Sequence, residues 1–129
     1  MANEITLNGS VAYEDSEGAD LALSMADVLK TVATKKYIRH KMQVGTTEEA
    51  VALGEVTAPG YAIFINRDGT NFIELRVATG GAKFARLDAD TAGDKTGGFA
   101  ILRLGSGAQA PYAIADTAAC QMEYFIISS

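Results

Sequence analysis

The feature that most limits what this chain can become is its rhythm. Short apolar runs alternate residue by residue and are cut by clusters of Gly, Pro, Asp and Asn. From Glu4 to Glu14, Ile5, Leu7, Val11 and Tyr13 share one parity, and Glu4, Thr6, Asn8 and Ser10 the other, the period of a half-buried strand. Lys35 to Val44 repeats the pattern, with Ile38, His40, Met42 and Val44 set against Arg39, Lys41 and Gln43. Tyr61 to Ile65 is apolar on both parities, as expected of a central strand covered on both faces. Turn signals every ~8–12 residues give about nine or ten short strands, so the chain is expected to be all-β. The expected architecture is a single-domain antiparallel β-sandwich over residues 1–129, jelly-roll-like, although other sandwich connectivities give similar spacing.

The joints between strands carry their own chemistry. Asp15-Ser16-Glu17-Gly18 is a turn, because Asp and Ser bond to nearby backbone and Gly tolerates positive φ. Leu21 to Val32 fits both a helical stripe (Leu21, Met25, Val28, Leu29, Val32) and strand alternation; a strand is expected. Asp68-Gly69 between Tyr61–Ile65 and Asn71–Val77 is a β-hairpin signature, with Ile73, Leu75 and Val77 facing one way and Glu74 and Arg76 the other. Gly80-Gly81, the polar loop Asp88 to Gly98, and Gly105-Ser106-Gly107 with Pro111 separate further strands at Lys83–Leu87, Phe99–Leu104, Tyr112–Ala115 and Ala118–Ile127.

Composition narrows the function classes. A chain of 129 residues buries roughly two-thirds of its unfolded surface, enough for a core without disulfides or metal. Its hydrophobic residues, 48% of the total, come in pieces far shorter than the ~20 residues of a membrane helix. The start, Met-Ala-Asn-Glu-Ile-Thr-Leu, lacks a basic n-region and an apolar h-region, so cytosolic synthesis is expected. A net charge of −5 opposes phosphate neutralisation, and the basic cluster Lys35, Lys36, Arg39 and Lys41 reads as the wet face of a strand. No nucleic-acid or membrane partner is expected.

Few residues offer catalytic chemistry. His40 is the only histidine, and its company with Ile38 and Met42 favours a core or interface role over catalysis. Cys120 lies in an apolar strand, where a thiol acts as a small hydrophobe. Asp88, Asp90 and Asp94 alternate as in a calcium loop, but Phe99 stands where the closing glutamate is required. Glu48 and Glu49 are adjacent, would face opposite ways in a strand, and are expected to solubilise its entrance. Gly80-Gly81 lacks the Lys and helix of a phosphate loop. Tyr13, Tyr37, Tyr61, Tyr112 and Tyr124 keep a carbohydrate-binding module open as a rival reading. No catalytic residue, cofactor or metal is expected.

Phe99 to Leu104 is more informative. If Ala100, Leu102 and Leu104 take the core face, Phe99 and Ile101 point outward, which suggests either a subunit interface or a second covered face within the monomer.

The stretch Gln43-Val-Gly-Thr-Thr-Glu-Glu-Ala-Val-Ala-Leu-Gly-Glu-Val, then Gly60-Tyr-Ala-Ile-Phe-Ile-Asn-Arg-Asp-Gly-Thr-Asn-Phe-Ile-Glu-Leu, resembles small virion proteins of tailed bacteriophages. The ending Tyr112-Ala-Ile-Ala-Asp-Thr-Ala-Ala-Cys-Gln-Met-Glu-Tyr-Phe-Ile resembles them too, so the likeness covers roughly the last two-thirds of the chain. It implies a β-sandwich building block and transfers no active-site residue. The role it suggests is a capsid decoration (cement) protein in the virion, a homo-oligomer that binds other virion proteins such as the major capsid protein. A tail or baseplate component is the alternative.

Overall fold

A computed structural model describes residues 4–14, 20–31, 36–91, 97–104 and 110–128, the first two segments as backbone. The chain divides into two compact units, Met1–Thr34 and Lys35–Ser129, and the sandwich is built within the second.

The first unit is an antiparallel pair, β1 (Glu4–Glu14) and β2 (Asp20–Thr31). The expected turn at Asp15 to Gly18 lies outside the described residues. Leu7 pairs with Val28 and Gly9 with Met25, so two steps along β1 face three along β2. This bulge puts Val28 and Met25, an odd number of residues apart, opposite the same parity of β1. It is the physical reason why a strand here carries a stripe that also resembles a helix.

The second unit contains β3 (Tyr37–Val44), β4 (Glu49–Ala50), β5 (Pro59–Asn66), β6 (Ile73–Arg76), β7 (Lys83–Leu87), β8 (Phe99–Arg103), β9 (Tyr112–Ala115) and β10 (Cys120–Ser128). They form two four-stranded antiparallel sheets, β3-β10-β5-β8 and β4-β9-β6-β7. The pairings nest: β3 with β10, β4 with β9, β5 with β8 and β6 with β7. The additional pairs β5–β10 and β6–β9 join the nested pairs into the two sheets. The protein is thus an all-β, antiparallel sandwich, with no helix among the described residues.

Alternation decides what lies between the sheets. The first sheet sends Val44, Ala62, Phe64, Met122, Tyr124 and Ile126 inward, and the second sends Ile73, Leu75, Leu87, Ala113 and Ala115; all are buried in one cluster. Ala100, Leu102 and Leu104 pack against that cluster, as their parity predicts. Full burial of each large aliphatic or aromatic side chain contributes roughly 1.5–3 kcal/mol.

Two expectations are corrected. Asp68-Gly69 does not close a hairpin, because β5 and β6 belong to different sheets and the loop carries the chain across the sandwich. Asp68 Oδ1 accepts hydrogen bonds from the backbone N–H groups of Thr70 (2.8 Å) and Asn71 (2.6 Å), forming an Asx turn in which Gly69 has no positive φ. The β6–β7 pair forms the hairpin in this region instead, with Gly80 at φ 65° in its loop. Val77 does not join Ile73 and Leu75 in the core: β6 ends at Arg76 after a register shift, and Val77 is 59% exposed.

Two close approaches knit the sheets at one end. The buried Asn66 side chain donates from Nδ2 to the carbonyls of Asn71 (2.9 Å), Leu87 (3.0 Å) and Asp88 (3.2 Å). Beside it, Asn66 N donates to Gly98 O (2.9 Å) and Gly98 N to Asp88 O (2.7 Å). A Cβ on Gly98 would collide with the backbone of Leu87 and Asp88, so only glycine allows this passage.

Candidate functional site

The two outer faces of the sandwich differ in kind. On the second sheet the outward charged residues are tied to one another, beside half-buried Tyr112 and Ile114 and an exposed Phe84. Arg76 bonds Glu48 (2.6 Å) and Glu74 (3.0 Å), and Lys83 bonds Glu74 (3.1 Å). The Arg86 guanidinium covers the Phe72 ring at 3.7 Å.

The outer face of the first sheet carries an apolar strip. β8 presents Phe99 and Ile101, 65% and 47% exposed. Across the ladder Phe99 lies opposite Ile65 and Ile101 opposite Ile63, so β8 and β5 make one continuous strip. Phe125 of β10 lies opposite Ile63 on its other side, and Tyr37 of β3, 63% exposed, stacks on Phe125 with ring centroids 5.8 Å apart. The patch therefore runs across all four strands. The expectation that Tyr61 to Ile65 is covered on both faces is corrected accordingly: Ala62 and Phe64 are buried, whereas Tyr61, Ile63 and Ile65 are half-buried on this outer side.

Charges rim the patch. Glu123 lies between Arg39 Nη2 (3.2 Å) and Arg67 Nε (3.2 Å), at the edge of a shallow depression floored by Ile63, Ile65 and Phe125. Partial burial alone would raise the Glu123 carboxyl, but hydrogen bonds from the two guanidinium groups hold it below the ordinary carboxylate range. Lys41 pairs across the ladder with Glu123, and the Arg103 guanidinium lies 6.0 Å from the Tyr61 ring centre. The floor is thus apolar, and the nearest rim cations, Arg39 and Arg67, are both turned onto Glu123.

The other residues singled out in the sequence are scattered. His40 is exposed on the edge strand β3, its ring edge-on to Tyr124 at 5.9 Å. Cys120 is fully buried, and desolvation pushes its thiol up to about 11. Glu48 and Glu49 do more than solubilise: Glu48 also accepts the Gly80 N–H (2.6 Å), and Glu49 accepts the Gly45 N–H (2.9 Å). Asp88 pairs with Arg86 at 2.6 Å, while Asp94 and Lys35 lie outside the described residues. Tyr124 is buried, Tyr61 and Tyr112 are half-buried, and Tyr37 belongs to the apolar patch. Among the described residues no group of His, Cys, Asp and Glu side chains could hold a metal ion, and no helix is long and apolar enough to cross a membrane.

Phe99 and Ile101 thus occupy the outward positions their alternation predicts. The bridging of Glu123 by Arg39 and Arg67 is invisible in sequence, because those residues are 84 and 56 positions from it. Asn66 had a signal: it closes the run Tyr61 to Ile65 on the buried parity of Ala62 and Phe64. No protein-family model, curated protein or solved structure matches the chain.

Proposed function

We propose that this protein is a structural component of a tailed-bacteriophage virion, a capsid decoration protein that stabilises the shell through the outer face of its first sheet. The observation that carries the reading is the continuous apolar strip from Tyr37 to Phe99 across the first sheet, whereas the outer face of the second sheet is crossed by the Glu48–Arg76–Glu74–Lys83 ion pairs. An exposed apolar strip of that extent marks an interaction surface. The resemblance of Gln43–Val56, Gly60–Leu75 and Tyr112–Ile126 to small virion proteins gives the class of partner. The nested strand order, read as jelly-roll connectivity, suits a shell building block.

Function in this reading is binding free energy. Apolar surface buried at about 25 cal/mol per Å² favours the assembled shell over its parts, and whatever binds only the folded subunit stabilises it in turn. The partners are further copies of the chain and other virion proteins such as the major capsid protein, with no cofactor, metal or nucleic acid involved. Synthesis takes place in the host cytoplasm and the mature location is the particle.

The test is gold-labelled antibody imaging of particles purified from a producing lysate. Label distributed over the head is the expected result. Label confined to the tail would replace decoration with a tail or baseplate role, and particles free of label would overturn the virion reading.

A further inference from the structure

The edge strands of the two sandwich sheets are unequally protected. β3 carries Arg39, His40 and Lys41, all exposed, β7 carries Lys83 and Arg86, and β4 is only two residues long. Charged or very short edge strands resist pairing with another chain. β8, the outermost strand beside β5, has no such guard: Phe99-Ala-Ile-Leu is apolar, and its first charge is Arg103 at the end.

The ladder fixes which backbone groups of β8 face away from the sheet. Gly98 O accepts from Asn66 N (2.9 Å) and Leu104 N donates to Gly60 O (2.7 Å), so the even-numbered residues of this run turn their backbone groups to β5. These directions alternate along an antiparallel strand, which turns the N–H and C=O of Phe99, Ile101 and Arg103 to the open edge. The three are spaced symmetrically about Ile101. A second β8 running antiparallel therefore meets the first with Ile101 opposite Ile101 and Phe99 opposite Arg103, and the free residues of both strands find partners together.

We propose that two copies of the chain join through this edge, β8 against β8 across a two-fold axis at Ile101, so that the first sheet continues from one copy into the next. The match extends to the side chains. On the outer face the pairing sets Ile101 against Ile101 and the Arg103 guanidinium beside the Phe99 ring, contacts of the kinds that stabilise cross-strand pairs. On the inner face Ala100 meets Leu102, small against large. A slip of two residues would leave Phe99 or Arg103 without a partner, and a slip of one would oppose backbone groups that point away from each other. The contact is isologous and closes as a dimer. It uses the edge of the strand and leaves the apolar strips of both copies open side by side, so the inference does not depend on what that face binds.

The test uses the full-length chain with single cysteines introduced along β8 and held under mild oxidation; Cys120 is buried and does not compete. Ile101→Cys should link to itself, because residues paired across the axis lie about 5.5 Å apart at Cα, within disulfide reach. Phe99→Cys alone should link at least about tenfold less, since its two copies lie about 14 Å apart along the strands, and should link when mixed with Arg103→Cys. Equal linkage of Ile101→Cys and Phe99→Cys, each held alone, or no linkage in any of these samples, would overturn the proposal. Light scattering provides a check without introduced cysteines. The parent chain should be a dimer; Phe99→Lys, which sets a lysine against Arg103 of the other copy, should be a monomer; and Phe99→Lys combined with Arg103→Glu should be a dimer again. A monomeric parent, a dimeric Phe99→Lys or a double variant that stays monomeric would likewise refute it.

Discussion

The Tyr124 hydroxyl donates a 2.7 Å hydrogen bond to the carbonyl of Ala52, tying the middle of β10 to the segment that follows β4. The ring is fully buried beside Phe64, with centroids 6.2 Å apart, so the bond fixes the 50–58 segment against the core rather than merely decorating it. Tyr124→Phe keeps the packing and removes the bond. It should cost about 1 kcal/mol in urea unfolding, the net value of a hydrogen bond whose acceptor can still be hydrated. A cost above about 3 kcal/mol would mean that the ring, and not the hydroxyl, has been disturbed.

Asn66 should be far less tolerant. Its amide serves three carbonyls at a buried junction between the two sheets, and each orphaned acceptor costs about 1–3 kcal/mol. Asn66→Ala should therefore destabilise by at least about 3 kcal/mol. Asn66→Asp should be worse, because a carboxylate would face the same carbonyl oxygens. Gly98→Ala, at the neighbouring close approach, should cost about 2–3 kcal/mol by overpacking. Equal midpoints for these variants and the parent in chemical denaturation would contradict the proposed role of this junction.

Stability should fall in acid, with a sign set by four carboxylates. The Gly80 N–H and Arg76 hold Glu48 low, the Asn71 and Thr70 N–H groups hold Asp68 low, and hydrogen bonds from Arg76 and Lys83 hold Glu74 low. In Glu123 the Arg39 and Arg67 bonds outweigh the opposing effect of burial. A folded-state pKa below the unfolded value of about 4 gives stability that is complete above that value and lost as pH falls through the folded one. The melting temperature should be level from about pH 6 to 8 and decline steeply below about pH 4. Glu74→Gln should reduce the steepness; a melting temperature that holds to about pH 3 would contradict the assignment.

Cys120 should be inert in the folded protein. Its thiol is buried and pushed up to about 11, chiefly by desolvation, so at about pH 8 almost none is thiolate. An aromatic disulfide reagent should label it only after denaturant is added. Stoichiometric labelling of the native chain within minutes would show that the β10 end opens readily.

Much of this arrangement was legible because alternation is a one-dimensional signal of burial. β8 is the clearest example: the parity of Ala100 and Leu102 placed Phe99 and Ile101 outside before any pairing was known. What was not legible depends on partners distant in sequence. Asp68-Gly69 resembles a hairpin turn locally, but the Asx bonds of Asp68 and the anchoring of Asn66 send the chain to the opposite sheet. Val77 continues the alternation of Ile73 and Leu75 in sequence, but the register shift ends its strand. The β2 bulge is of the same kind, since only the pairing with β1 reveals the extra residue.

The most direct measurement is the number of copies retained per purified particle for the parent chain and for Ile101→Arg, with Arg86→Ala on the opposite face as the control. Ile101 is 47% exposed, so the change leaves the core intact while placing a charge in the apolar strip. The expected result is full occupancy for the parent and the control, and loss of Ile101→Arg to the soluble fraction. Equal retention of all three chains would contradict the assignment of this face as the surface that binds the shell.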